Sequence, residues 1–227
     1  MTHFEKTAVL GAGVIGASWT ALFLAAGKDV CVFDVSDTVQ DDVSDYVEKA
    51  WPTLVEIGLA VDGRRGVLSF AQTPEEAVRE ADFVQENVPE RLPIKLDLYR
   101  RIEPHLKTNA IVSSSASGLM AKEMQAGWNN PSRFILGHPF TPPHLVPLVA
   151  AGRSRRRRRR GCRCGRGSGR GGGRGRGGLA DGQALVAGMG HRTAVGAVVA
   201  GHATASPVVR SVLIADAAAV LVAAVAA

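Results

Sequence analysis

The chain has 227 residues, 46% of them hydrophobic, and a formal net charge of +6, which bounds it to one or two domains. The positive charge is not spread along it. Fourteen arginines and only two acids, Asp181 and Asp216, lie beyond Ala150, whereas residues 1–150 carry 13 basic and 19 acidic side chains, a net −6, which excludes a protein-wide nucleic-acid reading from basicity.

Thr7–Leu10 is a short apolar run ending at a glycine, which suits a buried parallel strand. Ile15–Ala26 reads as a helix closed by Gly27, and Val30–Phe33 as a second strand ending at Asp34. A helix is expected over Val39–Ile57, with Pro52 forcing a break or kink. Val67–Phe70 is a third strand. Pro74, Glu75 and Glu76 open a short helix, because proline and early acids fit a first turn. Phe83–Glu86 is the fourth strand, followed by a helix over Pro93–Ile102 and a fifth strand over Ala110–Ser113. A helix near Met120–Ala126 and a sixth strand near Phe134–Leu136 complete the series. Strands alternating with helices imply an α/β, doubly wound, mostly parallel sheet of the Rossmann type over residues 1–150.

Gly11-Ala12-Gly13-Val14-Ile15-Gly16 joins the first strand to the first helix. GxGxxG is a weak signal alone and a specific one between a strand and a helix. Gly11 permits the tight turn, Gly13 lets backbone approach a pyrophosphate, and Gly16 lets helix pack on strand. The amides of Val14 and Ile15 open the helix toward an anion. Asp34, 23 residues after Gly11, is placed to accept hydrogen bonds from ribose hydroxyls and to repel a 2′-phosphate, which favours NAD over NADP. The bland readings are a ligand-free glycine turn and a solvated aspartate.

Three further segments add specificity: Val84-Gln85-Glu86-Asn87-Val88-Pro89-Glu90 with Lys95, the run Ser113-Ser114-Ser115-Ala116-Ser117, and Gly137-His138-Pro139-Phe140-Thr141-Pro142-Pro143. With the glycine loop they resemble the NAD-binding domain of the 3-hydroxyacyl-CoA dehydrogenase family. Ala50-Trp51-Pro52 and Gly137–Phe140 are most similar to its L-carnitine-oxidising branch, and next to the gulonate dehydrogenase and lambda-crystallin branch. The resemblance covers residues 4 to about 149.

It implies an NAD-dependent oxidoreductase that moves a hydride from the 3-hydroxyl carbon of L-carnitine or a similar small-molecule 3-hydroxy compound. A 3-hydroxyacyl-CoA and L-gulonate are the alternative substrates. His138 matches the family's catalytic histidine, a residue type that titrates near neutral pH and so serves as a base. Ser117 matches the serine that bonds the substrate oxygen. Glu90, Lys95 and Thr141, together with Ser117, match positions lining the cofactor pocket. A histidine before proline capping a strand, and a serine run forming a turn, are the ordinary alternatives. Two departures stand out. Thr141 replaces the usual asparagine and lacks its paired donor and acceptor. Ala150, 12 residues after His138, stands where the family has a glutamate that orients the imidazole and stabilises its cation. Losing the acid of a histidine–carboxylate pair costs orders of magnitude in rate.

Beyond Ala150 there is no Lys, Glu, Asn, Phe, Tyr or Trp. Residues 151–178 form an arginine–glycine segment that is expected to be disordered, and 179–227 an alanine–valine tail. The abrupt switch suggests out-of-frame translation of GC-rich DNA, so that the helical, dimer-forming C-terminal domain of the family is expected to be missing and turnover impaired. An RNA-binding arm is the rival from another class, but it lacks aromatics for base stacking. A third reading is an NAD-binding module without turnover. Cys31 sits in an apolar run as a small core residue. Cys162-Arg163-Cys164 is too short for a metal site, and no metal is expected. Ser211–Ala227, with Asp216 inside, is a poor membrane span, and the N-terminus lacks signal-peptide features, so a cytoplasmic location is expected.

Overall fold

The computed structural model describes residues 4–60, 65–146, 148–152, 185–188 and 198–199. The strands are β1 (Lys6–Leu10), β2 (Asp29–Phe33), β3 (Leu68–Phe70), β4 (Phe83–Glu86), β5 (Ile111–Ser114), β6 (Phe134–Pro139), β7 (Leu148–Gly152), β8 (Leu185–Gly188) and β9 (Val198–Val199). They form one sheet in the order β3-β2-β1-β4-β5-β6-β7-β8-β9. The first six are parallel, and β7, β8 and β9 add on antiparallel. In an open parallel sheet of order 3-2-1-4-5-6, ligands bind outside the carboxyl ends of the strands where the order reverses, here between β1 and β4.

The helices are α1 (Val14–Ala25), α2 (Val39–Glu56), α3 (Pro74–Val78), α4 (Leu92–Ile102) and α5 (Ala121–Met124). One core lies on the α1 and α2 side, where Val9, Phe83 and Ile135 of the sheet meet Trp19, Phe23, Val43 and Val47. The other lies on the α3, α4 and α5 side, where Ala8, Val84 and Phe134 meet Val78, Tyr99, Ile102 and Met124. Ten consecutive residues of α1, Gly16–Ala25, are buried, as expected of a helix covered on every side. Gly27, with φ 72°, turns the chain out of α1 and into β2.

The expected elements recur with shifted ends, and three differences carry physical content. Pro52 does not break its helix: α2 runs through it without interruption, because Val43, Val47, Ala50 and Leu54 are all buried on one face and that packing outweighs one missing backbone donor. The helix expected near Met120–Ala126 is only a four-residue turn of α-helix followed by a 3-10 turn over Gln125–Gly127. The sixth strand extends to Pro139 and so carries His138 within it. Cys31 is half-buried against the second core, and burial pushes its thiol pKa up. Ala151 and Gly152 pair in β7. The valine-containing β8 and β9 fall within a region given no element by sequence; the rest of the arginine–glycine segment, both distal cysteines and Ser211–Ala227 lie outside the described residues.

Candidate active site

The glycine loop turns at the end of β1. Gly11 has φ +85°, and a Cβ there would sit 2.8 Å from the backbone of Asn87 and Val88, just past the end of β4. A Cβ on Gly16 would collide with the Gly11 carbonyl oxygen. Gly13 is different: nothing among the described residues lies within 4 Å of the Cβ it lacks, so its face is open to an incoming group. Gly13 is also the N-cap of α1, with no side chain capping the first turn and no acid in it. The amides there are free for an anion. Val14 is 73% exposed at the mouth of the loop, and Ile15 tucks against the first core.

Asp34 closes this cradle from β2. Its Oδ2 accepts from Ala12 N at 2.6 Å and its Oδ1 from Ser36 N at 3.0 Å. Each oxygen keeps a further lone pair for a ribose hydroxyl. An open Gly13, an uncapped helix start and a carboxylate fixed beside the loop fit a dinucleotide with a free 2′-hydroxyl.

Behind the loop lies a polar cluster within the sheet core. The Glu86 carboxylate, fully buried, accepts from Lys95 Nζ at 2.6 Å, Tyr99 OH at 2.7 Å, Ser114 Oγ at 2.7 Å and Val88 N at 2.8 Å. Lys95 is 1% exposed and spends a second hydrogen on Val88 O at 3.0 Å. Desolvation, then the Glu86 charge, pushes the Tyr99 pKa well up, so the phenol stays a donor. Lys95, a residue whose position matches the family's cofactor pocket, has its ammonium beneath the 87–90 loop, which it fastens. Glu90, at the end of that loop, accepts from the backbone N–H groups of Ser117 (2.7 Å), Gly118 and Leu119 (3.2 Å), and from Ser117 Oγ (3.1 Å). These amides, that of Gly118 foremost, hold its carboxyl below the usual range. Glu90 therefore shapes the turn that presents Ser117.

His138 and Ser117 sit at the carboxyl ends of the neighbouring strands β6 and β5. His138 is half-buried, and its Nδ1 lies 3.0 Å from the carbonyl oxygen of Ser115. A carbonyl only accepts, so Nδ1 carries a proton and Nε2 is left as the lone-pair nitrogen. Ala150 is the register partner of His138 across the antiparallel β6–β7 pair. Thr141 is exposed in the following turn, and the exposed Phe140, Leu145 and Val146 flank it. The chain then folds back onto α1: His144, 7% exposed, has Nδ1 2.7 Å from Ser18 Oγ, its backbone N donates to that same oxygen at 3.1 Å, and its ring meets Tyr46 edge-on. Desolvation holds the His144 pKa down. Ser115, Glu86, Tyr99 and His144 were assigned no role from sequence. The polar pair Gln85-Glu86 ending the short strand after Phe83-Val84 was the one available signal, since such groups are buried only with partners.

Residues 6–155 match the family described as 3-hydroxyacyl-CoA dehydrogenase, NAD binding domain. The chain belongs to this family. It is 44% identical over 149 residues to an L-carnitine dehydrogenase from a Pseudomonas species, covering 66% of this chain and 46% of that protein. An L-carnitine dehydrogenase of Streptomyces coelicolor is 42% identical over 147 residues, 65% of this chain and 46% of the relative. Among solved structures, the fold is similar to a 5-formyl-3-hydroxy-2-methylpyridine 4-carboxylic acid 5-dehydrogenase, described as an NAD+ dependent dismutase, with a TM-score of 0.61 and 30% identity over 66% of this chain and 48% of that one. The chain spans about half the length of the curated relatives it matches. Residues 6–155 thus carry the family's NAD-binding domain. Among the described residues, no group of three His, Cys, Asp or Glu side chains is placed to hold a metal, and no helix is long and apolar enough to cross a membrane.

Proposed function

We propose that this domain serves NAD-dependent oxidation of the 3-hydroxyl of L-carnitine or a similar 3-hydroxy acid to the 3-oxo compound, and that turnover by this chain is impaired. The observation that carries the chemistry is the His138 ring: Nδ1 is committed to a carbonyl and Nε2 is free as a proton acceptor, beside the turn that presents Ser117. NAD, when bound, would supply the acceptor for the hydride that leaves the carbinol carbon. Nε2 of His138 takes the hydroxyl proton, and the former alcohol oxygen becomes a ketone oxygen. Ser117 Oγ turns from Glu90 to bond that oxygen. Gly11–Gly16 and Asp34 hold the dinucleotide, and Glu90 keeps the Ser117 turn in place.

The impairment rests on Ala150 and on residues 151–227, whose composition is not that of a substrate-binding half. A residue directly opposite on an antiparallel neighbour is placed to reach its partner's side chain, and alanine brings no carboxylate to stabilise the imidazolium that forms. The same observation favours, as a second reading, a domain that binds NAD without turnover. The composition of residues 151–227 supports their being an out-of-frame product, which resequencing the gene beyond codon 149 in all frames decides.

The activity test is NADH formation at 340 nm with L-carnitine, 3-hydroxybutyryl-CoA and L-gulonate. The chain as it stands is expected to turn over little, and Ala150→Glu alone is expected not to restore it. A chimera joining residues 1–149 to the remaining half of the Pseudomonas L-carnitine dehydrogenase should oxidise L-carnitine, and His138→Ala in that chimera should abolish it. Brisk turnover by the unaltered chain refutes the impairment. Unchanged turnover in the His138→Ala chimera refutes the role of the histidine.

A further inference from the structure

Ser115 uses every polar atom it has. Its backbone N donates to Glu86 O at 2.9 Å. Its hydroxyl donates to Asn87 Oδ1 at 2.6 Å and accepts from Gln85 Nε2 at 2.8 Å. Its carbonyl oxygen takes the Nδ1 proton of His138 at 3.0 Å. Gln85 is fully buried in β4, and the Asn87 amide is itself tied to Gln85 O at 3.3 Å and Gly11 O at 3.4 Å. The residue lying under His138 is therefore gripped on two sides from the strand end that also contacts the glycine loop.

We propose that Ser115 is a positioning residue for the base: its carbonyl fixes His138 as the Nδ1–H tautomer, and its hydroxyl, clamped between Gln85 and Asn87, holds that carbonyl in place. Imidazole free in water prefers the other tautomer, with the proton on Nε2, which has no lone pair to offer a hydroxyl there. A backbone carbonyl at Nδ1 reverses that preference. It also keeps its hydrogen bond when Nε2 gains a proton, so the ring does not turn during the transfer. This separates two tasks that a glutamate at 150 would perform together. The Ser115 carbonyl sets tautomer and orientation without any carboxylate; what alanine at 150 removes is charge stabilisation of the imidazolium. The inference rests on the reading of His138 as proton acceptor, but its readout does not need turnover.

The experiment is nitrogen-15 NMR of the full chain labelled at histidine, with the His138 signals identified by their loss in His138→Gln. At neutral pH the unaltered chain should show His138 protonated at Nδ1 with a lone pair on Nε2. Ser115→Ala removes both clamping bonds and should shift the ratio toward the Nε2–H form by roughly fivefold, the change made by one net hydrogen bond. Ser115→Thr, which keeps the hydroxyl, should restore it. Should Ser115→Ala fail to melt cooperatively, Asn87→Ala, which removes one clamp and leaves Ser115 intact, gives the same readout. An Nε2–H form in the unaltered chain, or a ratio unmoved in folded Ser115→Ala and Asn87→Ala, overturns the proposal. A failure of His138 as base shows elsewhere, as surviving NADH formation in the His138→Ala chimera, with the tautomer result still standing.

Discussion

Lys95→Met separates two accounts of a lysine that the family resemblance alone would put in the cofactor pocket. The side chain is 1% exposed and its ammonium lies 2.6 Å from a carboxylate that is fully buried. Removing one partner of such a pair leaves an uncompensated charge and typically costs 3–5 kcal/mol. Here the Glu86 carboxylate keeps three donors, Tyr99 OH, Ser114 Oγ and Val88 N, all within 2.8 Å. The low end, about 3 kcal/mol, is therefore expected, and for a domain of this size it lowers Tm by roughly 6–12 °C. Methionine retains most of the stem volume, so little of this is a cavity effect. The double variant Lys95→Met with Glu86→Gln should recover at least about 1 kcal/mol, because a neutral amide left behind is less costly than a bare carboxylate. Thermal and urea unfolding followed by circular dichroism measure both. A Tm within 2 °C of the parent, coupled with lost NAD affinity, would refute the reasoning and return Lys95 to direct cofactor contact.

Four further substitutions have expected outcomes. Gly13→Val points into open space and should weaken NAD binding by about tenfold or more while leaving Tm nearly unchanged, whereas Gly16→Ala drives a methyl into the Gly11 carbonyl and should cost about 1–3 kcal/mol in unfolding measurements. His144 is kept neutral by burial, so the unfolded chain takes up a proton near pH 6.5 before the folded one does, and stability should fall as pH drops below that value. His144→Gln should flatten this slope in urea midpoints compared at pH 7.5 and 5.5, and an unchanged slope would contradict it. Glu90 has a lowered pKa, so its hold on the Ser117 turn is present above the ordinary glutamate range and lost only as pH falls below it; the Gly118 amide resonance should report that transition and lose it in Glu90→Gln.

What sequence revealed and what it withheld divide along a physical line. The parallel strands were legible because Thr7–Leu10 of β1 and Val30–Phe33 of β2 are short, mostly apolar runs bounded by turn residues. The glycine loop was legible because Gly11 and Gly16 answer to backbone sterics that no other residue tolerates. The partner of His138 was not, because a backbone carbonyl leaves no mark on residue identity; Ser115 would read the same whether or not its oxygen faced the ring. Lys95 was legible as a position but not as a contact, since the burial that fixes its ammonium on Glu86 arises only when α4 packs over β4. The break offered at Pro52 does not occur because a local rule about one lost hydrogen bond competes with four buried residues along α2. The missing glutamate at Ala150 was legible from the family pattern; the β6–β7 register adds that position 150 pairs directly opposite His138.

The account turns on residues 4–152 forming an NAD-selective site that needs no second domain to hold its cofactor. Calorimetric titration of the full chain with NAD and with NADP, in parallel with Asp34→Ala, tests this most directly. NAD should bind with the higher affinity, and Asp34→Ala should narrow the difference by removing both the ribose acceptor and the charge that repels a 2′-phosphate. NADP binding as tight as NAD, or no binding of either, would contradict it.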